Sequence, residues 1–327
     1  MIDILKFVKS STIIGLTKRF VPRALQNKLF KFSMERNNEL LRKTVLEYLI
    51  AGGGGGKLGL FLETKRFNST EIAGLWLETT PDGSKRINID GAFLPDVTGN
   101  PVYNISGAVV DTFLFHILGK DDYDKTDVDR FEPYMPEGPY GYRDGEFDVT
   151  VKNGDVVIDA GAWIGDFSAL AACYGAVSYA FEPVKTSFDM LTETCRLNGN
   201  NIHAVKAGLG DTECETDIIL DGHSGGETAS RSPSEHEKTE RIKITTLDKF
   251  TADAHLQKID FIKADIEGME RNMLTGAREV LREFAPKLAI CTYHLIDDPK
   301  ILKDIILDAN PKYKIVQRKC KLYAAVI

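Results

Sequence analysis

Between Lys263 and Glu270 the chain reads KADIEGME, which sets Asp265, Glu267 and Glu270 close together beside a lysine. Carboxylates this dense do chemistry when a strand delivers them to a ligand: they take protons, hold cations or orient hydroxyls. The preceding IDFI, Ile259 to Ile262, is a short apolar run of strand type. It would carry Asp265 and Glu267 to the carboxyl edge of a sheet, where open α/β folds bind ligands. KLAICT, Lys287 to Thr292, is a second such run and brings Tyr293 and His294 to the same edge. An imidazole titrating near neutrality can take a proton from a hydroxyl or ligate a metal. Asp265, Glu267 and His294 together also suit a divalent cation. A plainer reading gives Glu267 and Glu270 to the first turn of a helix through Ala277 to Phe284, where the macrodipole favours acids. His294 then becomes a structural histidine.

Such an edge needs a cofactor site beside it, and VVIDAGAWIGDFS, Val156 to Ser168, opens like one. Val156, Val157 and Ile158 form a continuous apolar run, suited to a parallel strand covered on both faces. Asp159 closes the strand, Gly161 and Gly165 bracket a turn, and FSALAACYG reads as a helix ended by Gly175. Free N–H groups at that helix start would face an anionic part of a ligand. The dinucleotide fingerprint G-x-G-x-x-G requires a second glycine so that backbone can approach a pyrophosphate, and Trp163 stands there. A phosphate-free nucleoside such as S-adenosylmethionine tolerates the bulkier turn.

VSYAF, Val177 to Phe181, supplies the next strand and ends at Glu182, placed to accept hydrogen bonds from ribose hydroxyls. TSFDMLTETCRLNG reads as a helix stopped near Gly199, and NIHAVKAGLGD as a third strand running into a Gly-Asp turn. The loop around Ala207 and Gly208 would lie where an adenine sits.

In this order and spacing, VVIDAGAWIGDFS, YAFEP, NIHAVKAGLGD, TTLD, IDFIKADIEGME and KLAICTYH resemble the FkbM-type S-adenosylmethionine-dependent methyltransferases, from about Asp148 to the end. The closing YKIVQRKCKLYAAVI is similar to the antiparallel final hairpin of the class I methyltransferase sheet. The resemblance implies an α/β fold, a doubly wound, seven-stranded, mostly parallel Rossmann-like sheet, and methyl transfer to an oxygen of a sugar or natural-product hydroxyl. By matching position, Asp159, Gly161 and Glu182 would bind S-adenosylmethionine, with Asp265 near its methionine end. Asp265, Glu267 and His294 would form the acceptor site, with His294 as general base or all three around a divalent cation. One departure is Trp163, where relatives carry a small polar residue, typically Asn. Either the turn is wider or the indole stacks beside the cofactor. Glu137-Gly-Pro-Tyr140 would fold Tyr140 over the cofactor, or it is a Pro/Gly-rich domain junction. Two rival readings are a nicotinamide-dependent oxidoreductase, disfavoured by Trp163 and the final hairpin, and a non-catalytic S-adenosylmethionine-binding partner, disfavoured by Asp265, Glu267 and His294.

The remaining chain bounds the context. At 327 residues with 43% hydrophobic content, it is long enough for a core and an extension. We expect a basic helical segment over 1–51, an accessory α+β lobe over 52–135 that starts in the glycine run Gly52 to Gly56, and the catalytic fold over 136–327. A net charge of −7 argues against a nucleic-acid acceptor and for a small molecule or glycan. Cys173, Cys195, Cys214, Cys291 and Cys320 lack C-x-x-C spacing and read as reduced, mostly buried thiols of a cytoplasmic protein. The first 31 residues carry Lys6, Lys9, Lys18, Arg19, Arg23, Lys28 and Lys31 against Asp3 alone. Such a basic amphipathic helix packs on its own protein or on a second subunit of a homo-oligomer, or lies on the inner face of an anionic membrane. The insertion DGHSGGETASR, with His223, reads as an acceptor loop or an exposed excursion.

Overall fold

The computed structural model of the chain describes residues 77–89, 91–97, 140–220, 238–318 and 320–327, all within the compact unit Gly52–Ile327. The basic segment 1–51, the glycine run, Glu137 and the insertion with His223 lie outside the described residues, as does most of 52–135.

Strands β1 (Leu77–Thr79), β2 (Lys85–Ile89) and β3 (Ala92–Pro95) form an antiparallel sheet. The Pro-Asp-Gly turn between β1 and β2 closes because the Gly83 N–H donates to Thr80 O and Asp82 accepts from the Ser84 N–H. A second hairpin, β4 (Tyr142–Asp144) and β5 (Phe147–Val149), leads into the main sheet.

That sheet grows from β6 (Val156–Ala160), α1 (Asp166–Cys173), β7 (Val177–Phe181), α2 (Lys185–Asn198) and β8 (Ile202–Val205). The chain then makes a side sheet of β9 (Gly208–Leu209), β10 (Cys214–Leu220) and β11 (Lys238–Thr245), followed by α3 (Leu247–Asp253). It returns through β12 (Phe261–Ala264), α4 (Glu270–Thr275), α5 (Arg278–Glu283), β13 (Lys287–Cys291) and α6 (Asp298–Ala309). The hairpin β14 (Tyr313–Arg318) and β15 (Lys321–Val326) closes the chain. The order across the main sheet is β14-β15-β13-β12-β6-β7-β8. β13, β12, β6, β7 and β8 run parallel, and β15 runs antiparallel to both neighbours. This is the expected doubly wound, seven-stranded sheet, and its direction of winding reverses between β6 and β12. A crevice at such a reversal, beyond the strands' carboxyl ends, is where ligands bind.

Continuous apolar strands feed two cores because alternate side chains leave by opposite faces. Ile158, Ala160, Ile262, Ala264, Leu288 and Ile290 enter one cluster, while Val157, Phe261, Ala289 and Cys291 enter the other. Two expected boundaries differ. NIHAVKAGLGD is not one strand: the Ala207 N–H turns back onto Val205 O, and Gly208 and Leu209 pair with β11. The helix expected to run from the acidic segment through Ala277 to Phe284 is instead two short helices broken at Gly276, where a Cβ would overlap the Gly210 carbonyl oxygen. None of the five cysteines is in a disulfide, but Cys291 alone is buried, and Cys173 and Cys214 are exposed. The expectation of mostly buried thiols is corrected accordingly, since the face of α1 at Cys173 and the start of β10 point outward. No described helix is long and apolar enough to cross a membrane.

Candidate active site

Backbone hydrogen bonds join the strand tips beyond the ends of the strands. The Asp265 N–H donates to Ala160 O at 3.1 Å, the Gly161 and Ala162 N–H groups to Phe181 O at 3.1 and 2.9 Å, and the Glu182 N–H to Val205 O at 3.1 Å. Gly161 has φ of 73° and sits so close to the β12 tip that a Cβ would overlap the Asp265 carbonyl oxygen. Only glycine fits there. Trp163 follows at φ 49° and Gly165 at φ 86°, bending the chain into α1. A tryptophan in the left-handed region is strained, and such strain gathers at functional turns. The strain is held by Glu182, whose Oε2 accepts the Trp163 N–H at 3.0 Å and whose Oε1 accepts the Val184 N–H at 2.8 Å.

Asp159 is fully buried beneath this turn. Its Oδ2 accepts from the Ser168 hydroxyl at 2.7 Å, and its Oδ1 lies 3.1 Å from Lys263 Nζ. Lys263 also donates to Gly161 O at 2.6 Å. A lysine inside a core strand requires such partners. β12 begins two residues later than expected, which puts Lys263 level with Asp159 on neighbouring β6. Asp166, at the start of α1, is pushed up to about 7 by burial, with Lys263 opposing the shift and Asp159 adding to it.

At the tip of β12, Asp265 accepts from the Tyr140 hydroxyl at 2.7 Å and the Tyr293 hydroxyl at 3.1 Å. The Tyr140 ring carries Lys321 Nζ at 3.8 Å and Lys263 Nζ at 5.2 Å from its centre. Lys321 is fully buried. Burial works against a charge on Asp265, yet Lys263, Lys321, the Tyr140 hydroxyl and His294 outweigh it and hold the carboxyl below its usual range.

Beside it stands His294, with 7% of its side chain exposed and three carboxylates around it. Nδ1 is 3.0 Å from Glu270 Oε1, and Nε2 is 3.3 Å from Glu267 Oε2 and 3.6 Å from Asp265 Oδ1. These are ion-pair distances without in-line hydrogen-bond angles. Burial pushes the imidazole down, but Glu267, Glu270 and Asp265 together raise it to about 10. The three carboxylates thus draw His294 toward the imidazolium, so a role as neutral base would work against their pull. Glu267 has φ of 53°, a second strained residue at the crevice.

The sequence expectations separate by side. Asp265, Glu267 and His294 come together as one cluster. Gly161, Trp163 and Glu182 build the opposite turn, with Ala207 buried and Gly208 half-buried just beyond β8. Asp159 and Tyr140 point inward: the first ties Ser168 to Lys263, and the second holds Asp265. Sequence reading missed Lys321 and the inward reach of Glu270, which is wholly buried. The available signal for Lys263 was a charged residue next to a core strand, since such a charge implies an acidic partner on the adjacent strand.

Residues 159–309 match the family model described as the methyltransferase FkbM domain. The chain is similar to the hexuronic acid methyltransferase AglP of Haloferax volcanii, 26% identical over 196 residues that cover 58% of this chain and 80% of that protein. Among solved structures, a methyltransferase FkbM from Methylobacillus flagellatus is 23% identical with a TM-score of 0.45, covering 66% of this chain and 59% of that one. This chain thus spans less than two thirds of that solved protein. The fibrillarin of Aeropyrum pernix, solved with bound S-adenosyl-L-methionine, is 14% identical with a TM-score of 0.36, over 76% of this chain and 93% of that one.

Proposed function

Starting from a chain that is an FkbM-type methyltransferase, we propose that it moves the methyl group of S-adenosylmethionine to a hydroxyl of a carbohydrate or another hydroxylated small molecule. The observation that carries this reading is the meeting, at one sheet reversal, of a glycine turn clamped by Glu182 with a cluster of Asp265, Glu267 and His294. A relative named for hexuronic acid supports the sugar class. A net charge of −7 supports a glycan or small molecule over nucleic acid.

The sulfonium is already a good leaving group, so the protein has to align the acceptor oxygen with the methyl and exclude water. Glu182 would take the ribose hydroxyls, because each carboxylate oxygen can accept more than one hydrogen bond. Gly161 lets the methionine part pass close to the β12 tip. Of the carboxylates near the acceptor, Asp265 is held ionised by Lys263, Lys321, Tyr140 and His294 and is a weak base. Glu267, 27% exposed against 14% for Asp265, is the group to receive the hydroxyl proton as the oxygen attacks. The His294 imidazolium orients it.

A divalent cation is the second reading, because one atom each of Asp265, Glu270 and His294 lie within 4.8 Å of one another. This set has Glu270 where sequence reasoning put Glu267. An ion there would have to displace a proton from His294. Chelator treatment followed by metal add-back tests it, and activity indifferent to both removes it. For the main reading, calorimetric titration with S-adenosylmethionine and with NAD, then a glycan panel including hexuronic acids screened for S-adenosylhomocysteine and a gain of one methyl, is decisive. Binding of NAD alone, or no methylated glycan, would overturn it.

A further inference from the structure

We propose that Glu270 is a positioning residue for the transfer, acting through Glu267 and His294; the assignment rests on the methyl-transfer reading above. An acid in the first turn of a helix normally faces solvent and serves the helix's own N–H groups. Glu270 does neither. It has no exposure, and its oxygens reach backward along the chain. Oε1 accepts the Ile266 N–H at 2.9 Å and Oε2 accepts the Gly268 N–H at 3.1 Å. Those two N–H groups flank Glu267, whose φ of 53° is kept in the left-handed region by this double grip. The same Oε1 lies 3.0 Å from His294 Nδ1.

The consequence is geometric. The ion pair of Nδ1 with Glu270 sets which way the ring points, so Nε2 is turned toward Glu267 and Asp265, at 3.3 and 3.6 Å. A partner behind a histidine commonly sets the orientation of its working nitrogen. Glu270 thus couples the β12 tip to the β13 tip with one buried carboxylate, holding the turn that displays one acceptor group and aiming the other. A purely structural cap would hold the turn and leave the imidazole alone.

The test compares Glu270→Gln, His294→Gln and the double variant in the full chain. Glu270→Gln keeps an oxygen for one of the two N–H groups but presents an amide to the other partners. The expected result is S-adenosylmethionine affinity within about twofold of the parent and a kcat for p-nitrophenyl glucuronide lower by about 10–100-fold. KM for the glycoside should hardly move, and the double variant should be slower than His294→Gln alone by less than the full Glu270→Gln factor. With 15N-labelled histidine, the His294 Nδ1–H signal should be visible in the parent and lost or strongly shifted in Glu270→Gln. An unchanged Nδ1–H signal, or single losses of kcat that multiply in the double variant, overturns the assignment. Parent protein inactive on the glycoside counts against the carbohydrate reading alone, because the histidine signal still decides the role of Glu270.

Discussion

The tips of β6 and β7 and the tips of β12 and β13 flank one reversal of the sheet, yet they are built on opposite plans. On the β6–β7 side the shaping is done by backbone: a glycine with no room for a Cβ, two left-handed turn residues, and a carboxylate occupied by main-chain N–H groups. On the β12–β13 side it is done by charge, with three carboxylates, an imidazole and two buried lysines balancing one another. The first plan suits a cofactor that never varies, because backbone shape is fixed once the sheet forms. The second suits proton movement, because side-chain charge responds to what is bound. Damage on the two sides should therefore register in different measurements.

The largest effect is expected at Gly161. Alanine there must adopt φ of 73° and collide with the Asp265 carbonyl, so the tips of β6 and β12 must separate. Gly161→Ala should cost roughly 3 kcal/mol or more of unfolding free energy and abolish S-adenosylmethionine binding. Gly145→Ala is the control, with φ of 63° but nothing within 4 Å of its Cβ, and should cost only about 1–2 kcal/mol. Equal denaturant midpoints for the two variants would show that the close approach is not what holds the turn.

Glu267→Gln should break the other side without touching the first. We expect kcat to fall by about 100-fold or more, the range for loss of a proton-accepting group, with cofactor affinity within about twofold of the parent by calorimetry. A parallel loss of cofactor affinity would erase the division between the two sides.

The two plans were also unequally legible in the sequence. Backbone shape leaves a local trace: an apolar run, Asp159, Gly161 and the acidic tip of β7 at Glu182 mark the turn without knowledge of the fold. The carboxylates and imidazole were equally visible as residue types, because strand tips gather on one edge of a parallel sheet. Their roles were not visible. Lys263 gained its partner only through the β6–β12 register, and β12 proved to start two residues later than its apolar run suggested. Lys321 reaches Tyr140 through the final hairpin, opposite Cys291 in the register, a non-local pairing that no spacing announces. Glu270 looked like a helix acid because nothing in one dimension shows that it faces backward. Likewise, the protonation of His294, on the β13 tip, depends on three carboxylates from the β12 tip meeting at one ring.

Glu182→Gln sharpens the comparison at a smaller scale. An amide can still accept one of the two N–H groups, but its NH2 faces the other, and the charge that would hold the ribose hydroxyls is gone. Affinity for S-adenosylmethionine should drop by about tenfold or somewhat more, the equivalent of one hydrogen bond to a charged group. At saturating cofactor kcat should stay near the parent value, the reverse of the pattern at Glu267.

The finest test is the response of the charged side to pH. His294 is raised from 6.5 to about 10 by its carboxylate neighbours, so the folded protein keeps its proton where the unfolded chain has lost it. The stability this contributes is fully present below about 6.5, declines as pH rises from there, and is gone above about 10. Thermal midpoints taken across that window should fall more steeply for the parent than for His294→Gln, whose side chain does not titrate. Turnover should agree: a neutral imidazole acting as base would give a rise in kcat/KM as pH passes its folded value of about 10, whereas an imidazolium that only orients Glu267 gives a fall there. If such a rise appears in the parent and disappears in His294→Gln, the ring works deprotonated, and the proton acceptor on the β12–β13 side passes from Glu267 to His294.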